Sequence, residues 1–472
     1  MSSPFDELKY KELLEGLEIS EVMLSEAISI TGDRRLDSEY YLKKYVHLDN
    51  VLKQKETIPF KDYCNFIKKG IFDLSPENYQ TSGIPFIRTS EIKNPQIDFS
   101  TTVFIDTKTH RENCKTSLKS RDLVFTKIGA YIGDVAMLPS NYSDYNFSQN
   151  VAGASLKNKI NGPYLLAFFL SELGKSQILR SLMLSGQGKL ELDDIRNYKI
   201  PTVSDVFKQQ MSEIFNQIEL TQIQSKKLYS EAEKILLSEL GLKDWQPNNN
   251  PVNIKQLKES FWASGRLDAE YYQSKYDEIE EKIKSYSCEF DLVRNLFSQN
   301  TDVCDYSEPA YNYIEIGDIN IGDGSANYNL VSTENLPDNA KRVLHKNDVL
   351  VSKVRPYRGA VSIVDFDDEK LIGSGAFTVL HEKTSYKKEV LQILLRTQIY
   401  KDWLLKWNVG SSYPVIKDED IMNLPIPLFP NTVQTEIAEY VQKSMSLRGE
   451  AKKLLDQAKR MVEKEIEEGN ID

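Results

Sequence analysis

Apolar residues recur every three or four positions along a stretch that begins at Phe207 and ends near Leu236. The recurring positions are Phe207, Met211, Ile214, Ile218, Thr221, Ser225, Leu228, Ala232 and Ile235. This is a heptad pattern with small or polar residues at its middle, and charged residues fill the other faces. Neither proline nor glycine interrupts it. The pattern predicts one amphipathic helix about 45 Å long, from the rise per residue of an α-helix.

The same pattern returns later in the sequence. Its positions are Val433, Ile437, Tyr440, Ser444, Leu447, Ala451, Leu454, Ala458 and Met461. Ile437 follows Met211 by 226 residues (437 − 211 = 226), and at this spacing residues 226–228 (Lys-Lys-Leu) match residues 452–454 (Lys-Lys-Leu). A helix with an apolar stripe needs a partner, so duplication within one chain favours packing of the two helices against each other. A coiled coil formed with another protein remains the alternative.

Three further pairs of segments repeat outside these helices. Residues 35–41 (Arg-Leu-Asp-Ser-Glu-Tyr-Tyr) return as residues 266–272 (Arg-Leu-Asp-Ala-Glu-Tyr-Tyr), and each copy is predicted to be an aspartate helix cap followed by a short amphipathic helix. Residues 85–92 return as residues 312–319, and both are predicted strands. Residues 122–133 return as residues 348–359. Each of these copies predicts a strand, a turn that contains glycine or proline, and a second strand.

Both copies of the repeat also finish in the same way. An apolar helix, predicted over residues 164–182 and 389–407, precedes a polar glycine/serine turn at residues 185–188 or 410–412. An Asp-Ile pair and an Ile-Pro pair then lead into the long helix. The proline falls just before that helix, where it costs no internal hydrogen bond.

These repeats predict an α+β protein with a pseudo-twofold internal repeat. Two similar αβ domains are separated by two long antiparallel coiled-coil helices. The predicted segments are an N-terminal segment (1–30), a first domain (31–205), a central long helix (206–245), a second domain (246–430) and a second long helix (431–472). The N-terminal segment is expected to complete a circular repeat, because residues 13–17 resemble residues 236–242, which follow the first long helix.

Composition adds limits on location and chemistry. Hydrophobic residues make up 40% and charged residues 27%, as in ordinary globular proteins. No apolar stretch is long enough for a membrane span and the N-terminus lacks a signal-peptide pattern, so a cytoplasmic protein is expected. The four cysteines show no metal-binding spacing, and the four histidines do not lie beside a candidate nucleophile. The net charge of −11 lies mainly in the helices and their flanks, so the two domains are roughly neutral.

In this order, and duplicated, the segments resemble the specificity (S) subunits of type I restriction-modification systems. The resemblance covers nearly the whole chain. The family's sequence of a glycine/serine turn, an Asp-Ile pair and an Ile-Pro strand stands here over residues 410–427, and a helix start with Gln434, Glu436, Ile437 and Ala438 follows. The first copy departs from this pattern at the matching helix start.

The resemblance implies two target recognition domains in a subunit that is not itself an enzyme. Such a subunit binds a bipartite double-stranded DNA site and carries modification (methyltransferase) and restriction subunits, which together serve DNA methylation and phage defence. The modification subunits transfer a methyl group from S-adenosylmethionine to adenine N6. S-adenosylmethionine, ATP and Mg²⁺ are therefore expected in the partner subunits, and no cofactor is expected in this chain. Lys226, Lys227, Lys452 and Lys453 are candidate partner contacts on the helices, although such lysines are usually solvated.

Two other functions remain open. One is a coiled-coil scaffold whose globular domains bind protein. The other is the specificity subunit of a type IIB-like system, which would need a nuclease or methyltransferase motif. The sequence shows no Asn/Asp-Pro-Pro-aromatic motif, no PD-(D/E)xK motif and no GxxxxGK[ST] phosphate loop. Residues 174–176 (Gly-Lys-Ser) lack the first glycine of such a loop and fall within a predicted helix.

Candidate DNA-binding residues lie on the matched turns, since arginine, lysine, glutamine, serine and aromatic side chains contact bases and phosphates. The strand–turn–strand segments supply Thr126, Lys127, Tyr131, Ser352, Lys353, Arg355, Tyr357 and Arg358. The glycine/serine turns supply Gln187, Lys189, Ser411, Ser412 and Tyr413. A solvated turn is the alternative for each. The repeated Arg-Leu-Asp-x-Glu-Tyr-Tyr segments are expected to be structural, and no catalytic residue or metal site is predicted.

Overall fold

The computed structural model describes residues 6–18, 20–25, 27, 38–129, 131–182, 188–248, 250, 252–286, 289–409 and 413–469. The chain divides into two compact units. Unit 1 comprises residues 1–220 and 450–472, and unit 2 comprises residues 221–449. The boundaries between the units therefore fall inside the two long helices, which the sequence had predicted as separate segments.

Two long helices are present, as predicted. The first long helix extends over Asp205–Glu239 and the second long helix over Asn431–Glu468. Each contributes one part to unit 1 and the other part to unit 2. The first begins and ends within a few residues of its predicted limits, because a sustained apolar period is the strongest signal of a helix.

Unit 1 contains the start of the first long helix packed with the end of the second. Phe207, Met211 and Ile218 share one hydrophobic core with Ala458 and Val462. Residues early in one helix therefore meet residues late in the other, which is the antiparallel arrangement that the repeat predicts.

Unit 2 contains the complementary halves of the same helices. Ala232 and Leu236, late in the first long helix, share a core with Ile437, early in the second. Ser225 and Ser444 are both buried, and each hydroxyl donates a hydrogen bond to the backbone carbonyl of the other, over 2.9 and 2.8 Å. The small side chains in the middle of the predicted pattern thus allow the two backbones to approach closely.

The buried stripe of each helix deviates from the predicted heptad by one residue at intervals. Phe215 and Tyr229 are buried where the pattern had placed Ile214 and Leu228, which are only half-buried. An α-helix repeats every 3.6 residues and a heptad every 3.5, so the buried face drifts along a helix that does not supercoil. The predicted positions were correct in about every second turn for this reason.

Unit 1 is built from short strands and helices around that helical core. The strands are β1 (Thr57–Pro59), β2 (Cys64–Lys69), β3 (Ile84–Ile87), β4 (Ile92–Lys93), β5 (Gln96–Ile97), β6 (Val103–Ile105), β7 (Leu123–Thr126), β8 (Val135–Met137), β9 (Asn146–Phe147), β10 (Val151–Leu156) and β11 (Lys199–Pro201). The shorter helices are α1 (Glu7–Leu14), α2 (Lys43–Lys53), α3 (Phe60–Tyr63), α4 (Thr107–Glu112), α5 (Asn161–Leu170), α6 (Glu172–Leu182) and α7 (Leu192–Asn197).

Unit 2 has a closely similar set of elements. The strands are β12 (Phe290–Leu292), β13 (Phe297–Asn300), β14 (Ala310–Ile314), β15 (Asn329–Ser332), β16 (Ala340–Val343), β17 (Val349–Ser352), β18 (Val361–Ile363), β19 (Leu371–Ser374), β20 (Phe377–Glu382) and β21 (Pro425–Pro427). The shorter helices are α8 (Phe261–Ser264), α9 (Ser274–Lys284), α10 (Val293–Leu296), α11 (Lys388–Arg396), α12 (Gln398–Leu404) and α13 (Asp418–Met422).

The sheets of the two units have the same topology. An antiparallel four-stranded sheet has the order β2-β10-β7-β8 in unit 1 and β13-β20-β17-β18 in unit 2. A second sheet contains a parallel pair, β3 with β9 or β14 with β19. A two-stranded sheet, β1 with β11 or β12 with β21, immediately precedes each long helix. The two units therefore share one fold, as the sequence repeat predicts.

The predicted strand–turn–strand segments are confirmed as β7–β8 and β17–β18. The predicted strands at residues 85–92 and 312–319 are shorter than expected, since β3 ends at Ile87 and β14 ends at Ile314. The predicted apolar helices were wrong in their continuity. Each one breaks, at Ser171 and at Thr397, where the backbone is extended and the hydroxyl accepts or donates a helix-capping hydrogen bond.

The repeated Arg-Leu-Asp-x-Glu-Tyr-Tyr segments have a structural role, although not as helix caps. In the second copy, the Asp268 carboxylate pairs with Arg266 at 2.5 Å, and the next long-enough helix, α9, begins only at Ser274. In unit 1, the Arg180 guanidinium lies 3.7 Å from the ring centroid of Tyr40. Lys406 lies 5.4 Å from the ring of Tyr271 at the matching place in unit 2. The tyrosines thus receive a cation from the chain end of the apolar helices, while residues 35–37 lie outside the described residues.

The circular closure through residues 1–30 stays a prediction. In this segment α1 ends before Gly16, whose φ of +78° resembles that of Gly241 (φ +62°), which follows the first long helix. No described helix combines the length and apolarity that spanning a membrane requires.

Candidate functional site

The strand–turn–strand segment and the glycine/serine turn of unit 1, predicted separately, lie side by side. Lys127, directly after β7, donates its backbone N–H to Asn150 O (2.9 Å) and accepts from Leu190 N (3.0 Å). The turn closes on β8 through the hydrogen bond from Gly133 N to Thr126 O at 3.0 Å. Residues 127–133, named here turn 1, are therefore held against residues 188–190.

The same geometry recurs in unit 2 at positions 226 residues later. Lys353 N donates to Ala376 O (2.9 Å), and Ile416 N donates to Lys353 O (3.0 Å). An additional hydrogen bond from Arg355 N to Pro414 O (2.8 Å) binds the two segments together. Residues 353–359, named here turn 2, are thus held against residues 413–416. The backbone of the candidate site is duplicated bond for bond.

Two of the predicted contact residues do not reach the surface. Thr126 and Ser352, which end β7 and β17, are buried. The Ser352 hydroxyl bonds to Val354 O at 2.9 Å, so it shapes turn 2. The Thr126 hydroxyl has no hydrogen-bond partner among the described residues. As positions for direct contact with a partner both are corrected by their burial, because these strands are covered on both faces.

The matched lysines Lys127 and Lys353 have different surroundings. The Lys353 ammonium forms an ion pair with Asp418 at 3.1 Å, and Asp418 also accepts a hydrogen bond from the Thr378 hydroxyl (2.6 Å). Burial lowers the pKa of Lys127, and the positive charges of Lys189 and Lys69 lower it further. Lys353 therefore fastens turn 2 to α13, whereas Lys127 adds a partly buried positive charge to turn 1.

Exposed aromatic and cationic side chains occupy the tips of both turns. Tyr131 and Tyr357 are matched positions and are 45% and 39% exposed. In unit 2, the Arg355 guanidinium lies 4.6 Å from the ring centroid of exposed Tyr413, and Arg358 is exposed nearby in sequence. Arg355 adopts φ +50°, the left-handed region, because the next residue is a proline and its own N–H is bonded across the site.

The glycine/serine turns are described only in part. Lys189 forms an ion pair with Glu191 at 2.9 Å. Gln187, Ser411 and Ser412 lie outside the described residues, and their assignment as contacts stays a prediction. Among the described residues, no group of three or more histidine, cysteine, aspartate or glutamate side chains is arranged to hold a metal ion.

Several charged residues beside turn 1 were missed by the sequence analysis. The Lys93 ammonium lies 4.8 Å from the ring centroid of Tyr131. Burial raises the pKa of Asp134 to about 6, and the positive charges of Lys93 and Lys175 oppose that shift. Lys69 is near enough to act on Lys127. A weak signal was available for Lys175 alone, since Lys401 stands 226 residues later in unit 2.

Lys175 belongs to α6 and not to a phosphate loop. Gly174 lies in the same helix, and a Cβ at Gly174 would come 2.1 Å from Phe168 O. The glycine is thus required by the packing of α6 against α5. The prediction that residues 174–176 are not a nucleotide-binding loop agrees with this placement.

The site can donate hydrogen bonds and present aromatic faces, but it brings together no nucleophile and base. Arginine and lysine side chains at turn tips suit the oxygen and nitrogen acceptors of phosphates and base edges. Tyrosine adds a flat apolar surface with one polar end. Each unit thus carries a binding surface of the same construction with different side chains.

Comparisons with known proteins gave one family and several solved structures. A family model for the type I restriction modification DNA specificity domain matches residues 53–234 and 290–457. The S subunit of a type I restriction-modification system from M. genitalium is 12% identical with a TM-score of 0.40, over 88% of this chain and 96% of that chain. The HsdS subunit from Thermoanaerobacter tengcongensis is 12% identical with a TM-score of 0.27, over 88% and 97% of the two chains. The type IIG restriction endonuclease BpuSI is 12% identical with a TM-score of 0.29, over 37% and 28%. No curated protein matches the chain.

Proposed function

The chain belongs to the family of type I restriction modification DNA specificity domains, and we propose that it recognises a bipartite DNA site, one part through each unit. Two copies of one backbone site carry different exposed side chains. A DNA site of two unlike parts, separated by a spacer that is not read, would suit such a pair. This duplication, bond for bond at a spacing of 226 residues, is the observation that carries the proposal.

The side chains at the two turns give each unit its own recognition chemistry. Unit 2 offers Arg355 and Arg358, whose guanidinium groups can pair with guanine O6 and N7 or with phosphate. Unit 1 offers Lys189 and the half-exposed Tyr131, with Lys127 behind them. Because Lys353 is engaged with Asp418, we assign it to holding turn 2 in place.

We further propose that this subunit is not an enzyme and that its partners supply catalysis. Modification subunits would transfer methyl groups from S-adenosylmethionine, and restriction subunits would use ATP and Mg²⁺. Exposed apolar residues on the first long helix, Val206 and Leu220 in unit 1 and Ile223 in unit 2, support a protein partner on that helix. A role on DNA with these partners places the protein in the cytoplasm.

Mapping of methylated adenines in a host genome tests the proposed function. Genomes with the intact gene and with the gene deleted are compared by single-molecule sequencing. The expected result is one methylated bipartite motif that disappears with the gene. A methylation pattern that is unchanged by deletion, together with the absence of sequence preference in binding assays of the assembled complex, would reject the proposal.

Binding measurements at fixed salt separate DNA recognition from the scaffold alternative. Phosphate contacts make affinity fall with salt concentration, whereas base contacts make it depend on sequence. The complex should therefore bind its motif more tightly than a scrambled duplex of the same length at each salt concentration. Equal affinity for both duplexes would favour the scaffold.

A further inference from the structure

The turn that follows β3 in unit 1 holds one guanidinium group in a fixed position. Arg88 Nε donates to Glu91 Oε2 (3.1 Å), and Arg88 Nη2 donates to Glu91 Oε1 (2.7 Å). The backbone N–H of Arg88 also donates to Glu91 Oε2 at 2.8 Å. This is the planar, two-bond pairing that arginine forms with a carboxylate.

Glu91 is fully buried, so its position is tightly determined. Its Oε1 accepts hydrogen bonds from the hydroxyls of Ser90 (2.8 Å) and Thr101 (3.2 Å) in addition to Arg88. A buried carboxylate is costly unless it is paired and hydrogen-bonded. Glu91 therefore keeps Arg88 in place, and Arg88 compensates the charge of Glu91.

The pairing leaves one end of the guanidinium available. Arg88 Nη2 uses its second N–H on Thr101 O, at 2.8 Å. Within the described part of the chain Nη1 has no hydrogen-bond partner, and the Arg88 side chain is 29% exposed. Two N–H donors thus remain on a group whose orientation is already fixed. Little side-chain entropy would be lost when such a group binds an acceptor.

This arginine belongs to the same surface as turn 1. A Cβ on Gly129 of turn 1 would lie 3.8 Å from the hydroxyl of Thr89, the next residue after Arg88. Lys93, a few residues later, lies over the ring of Tyr131 in the same turn. The segment after β3 and turn 1 therefore form one continuous, positively charged face of unit 1.

The matching turn of unit 2 has the same backbone and the opposite charge. Glu315 N donates to Asp318 Oδ2 at 2.8 Å, as Arg88 N donates to Glu91. The exposed residue at the start of the turn is an arginine in unit 1 and a glutamate in unit 2. A position that keeps its backbone but changes charge between two units is suited to distinguishing their targets.

We propose that Arg88 is a specificity-determining residue that reads one guanine in the half of the DNA site bound by unit 1. This inference rests on the proposed function. The two N–H donors of Nη1 match the two adjacent acceptors of guanine, O6 and N7, and the other bases lack that pair in the major groove. A phosphate contact would need no such fixed orientation.

A cycle of base analogue and mutation tests the contact. The full chain, assembled with its modification subunits, is measured against the motif found by methylation mapping. Each guanine in one half-site is replaced in turn by 7-deazaguanine, which lacks the N7 acceptor. One replacement should weaken binding by the intact protein, within the roughly 5- to 150-fold range of a bidentate base contact. The same replacement should have no further effect on the Arg88→Ala variant.

Matched variants separate the possible outcomes. Arg111→Ala, at an exposed position of α4 in the same unit, should leave every guanine effect unchanged. Arg355→Ala should alter the other half-site. If Arg88→Ala weakens all duplexes equally, or keeps every 7-deazaguanine effect, Arg88 is not a base reader while the proposed function stands. If the intact complex has no sequence preference at all, the proposed function itself is refuted.

Discussion

The close approach of the two long helices at Ser225 and Ser444 makes a prediction whose sign is informative. An ordinary coiled-coil seam gains stability when a serine is replaced by leucine, by roughly 1.5 to 3 kcal/mol of apolar burial. Here the two hydroxyl oxygens are only 2.8 Å apart, and both residues are buried. A leucine at position 225 has no room, so we expect Ser225→Leu to destabilise unit 2.

The magnitude follows from two contributions. Each serine donates one buried hydrogen bond to the opposite backbone carbonyl, and such a bond contributes about 1 kcal/mol to the free energy of unfolding. Overpacking of a close-packed site costs about 1 to 3 kcal/mol more. Ser225→Ala and Ser444→Ala should therefore each cost about 1 kcal/mol, and Ser225→Leu about 2 to 4 kcal/mol.

Tryptophan fluorescence is the appropriate measurement because the four tryptophans of the chain, at positions 245, 262, 403 and 407, all belong to unit 2. Urea titrations that excite tryptophan selectively will report the unfolding of unit 2. The slope of free energy against urea should be unchanged among the variants, so that midpoints compare stability. Lys227→Leu, at an exposed position of the same helix, is the control and should change stability by less than about 0.5 kcal/mol. A stabilising Ser225→Leu would refute the close approach of the helices.

Three further predictions concern the two units separately. The double variant Arg355→Ala and Arg358→Ala should lose at least about tenfold in affinity for the specific site at fixed salt, and unchanged affinity and site preference would remove these arginines from the interface. Asp418→Asn should destabilise unit 2 by about 1.5 kcal/mol, since it weakens a charge-assisted hydrogen bond from Lys353, and this loss should shrink when Lys353→Met is already present. Asp134 has a folded-state pKa raised from 3.8 to about 6 by burial, so the intact protein should lose stability as pH rises through that window. Asp134→Asn should not share that loss, so circular dichroism should show equal urea midpoints below the window and a more stable variant above it; equal midpoints throughout would contradict the pKa shift.

The long-range duplication could be predicted from the sequence, because identical residue types recur at one fixed spacing. The helices were predictable for the same reason, but the exact buried stripe was not. Whether Ile214 or Phe215 faces the partner depends on the degree of supercoiling, which is a property of the packed pair. The breaks at Ser171 and Thr397 were also missed, since apolar residues continue on both sides of each break.

The candidate site was predicted residue by residue with mixed success for a physical reason. Turn 1 and turn 2 could be located from glycine, proline and flanking β-branched residues. The partner of a given side chain could not, since Lys353 finds Asp418 across 65 residues of sequence. Burial of Thr126 and Ser352 depends on what covers the sheet, which is a tertiary property. Arg88 and Glu91 are only three residues apart, so their pairing left a local signal that could have been used.

The assembly of unit 1 from residues on both sides of unit 2 has a consequence for biosynthesis. The apolar face of the first long helix around Met211 and Phe215 is covered by Ala458 and Val462 of the second. These covering residues are translated only after the whole of unit 2. A ribosome that has finished residues 1–220 therefore holds a nascent chain with a bare hydrophobic strip, and chaperone binding is expected at that stage. Unit 2, a continuous stretch, can fold first although it comes second in the gene.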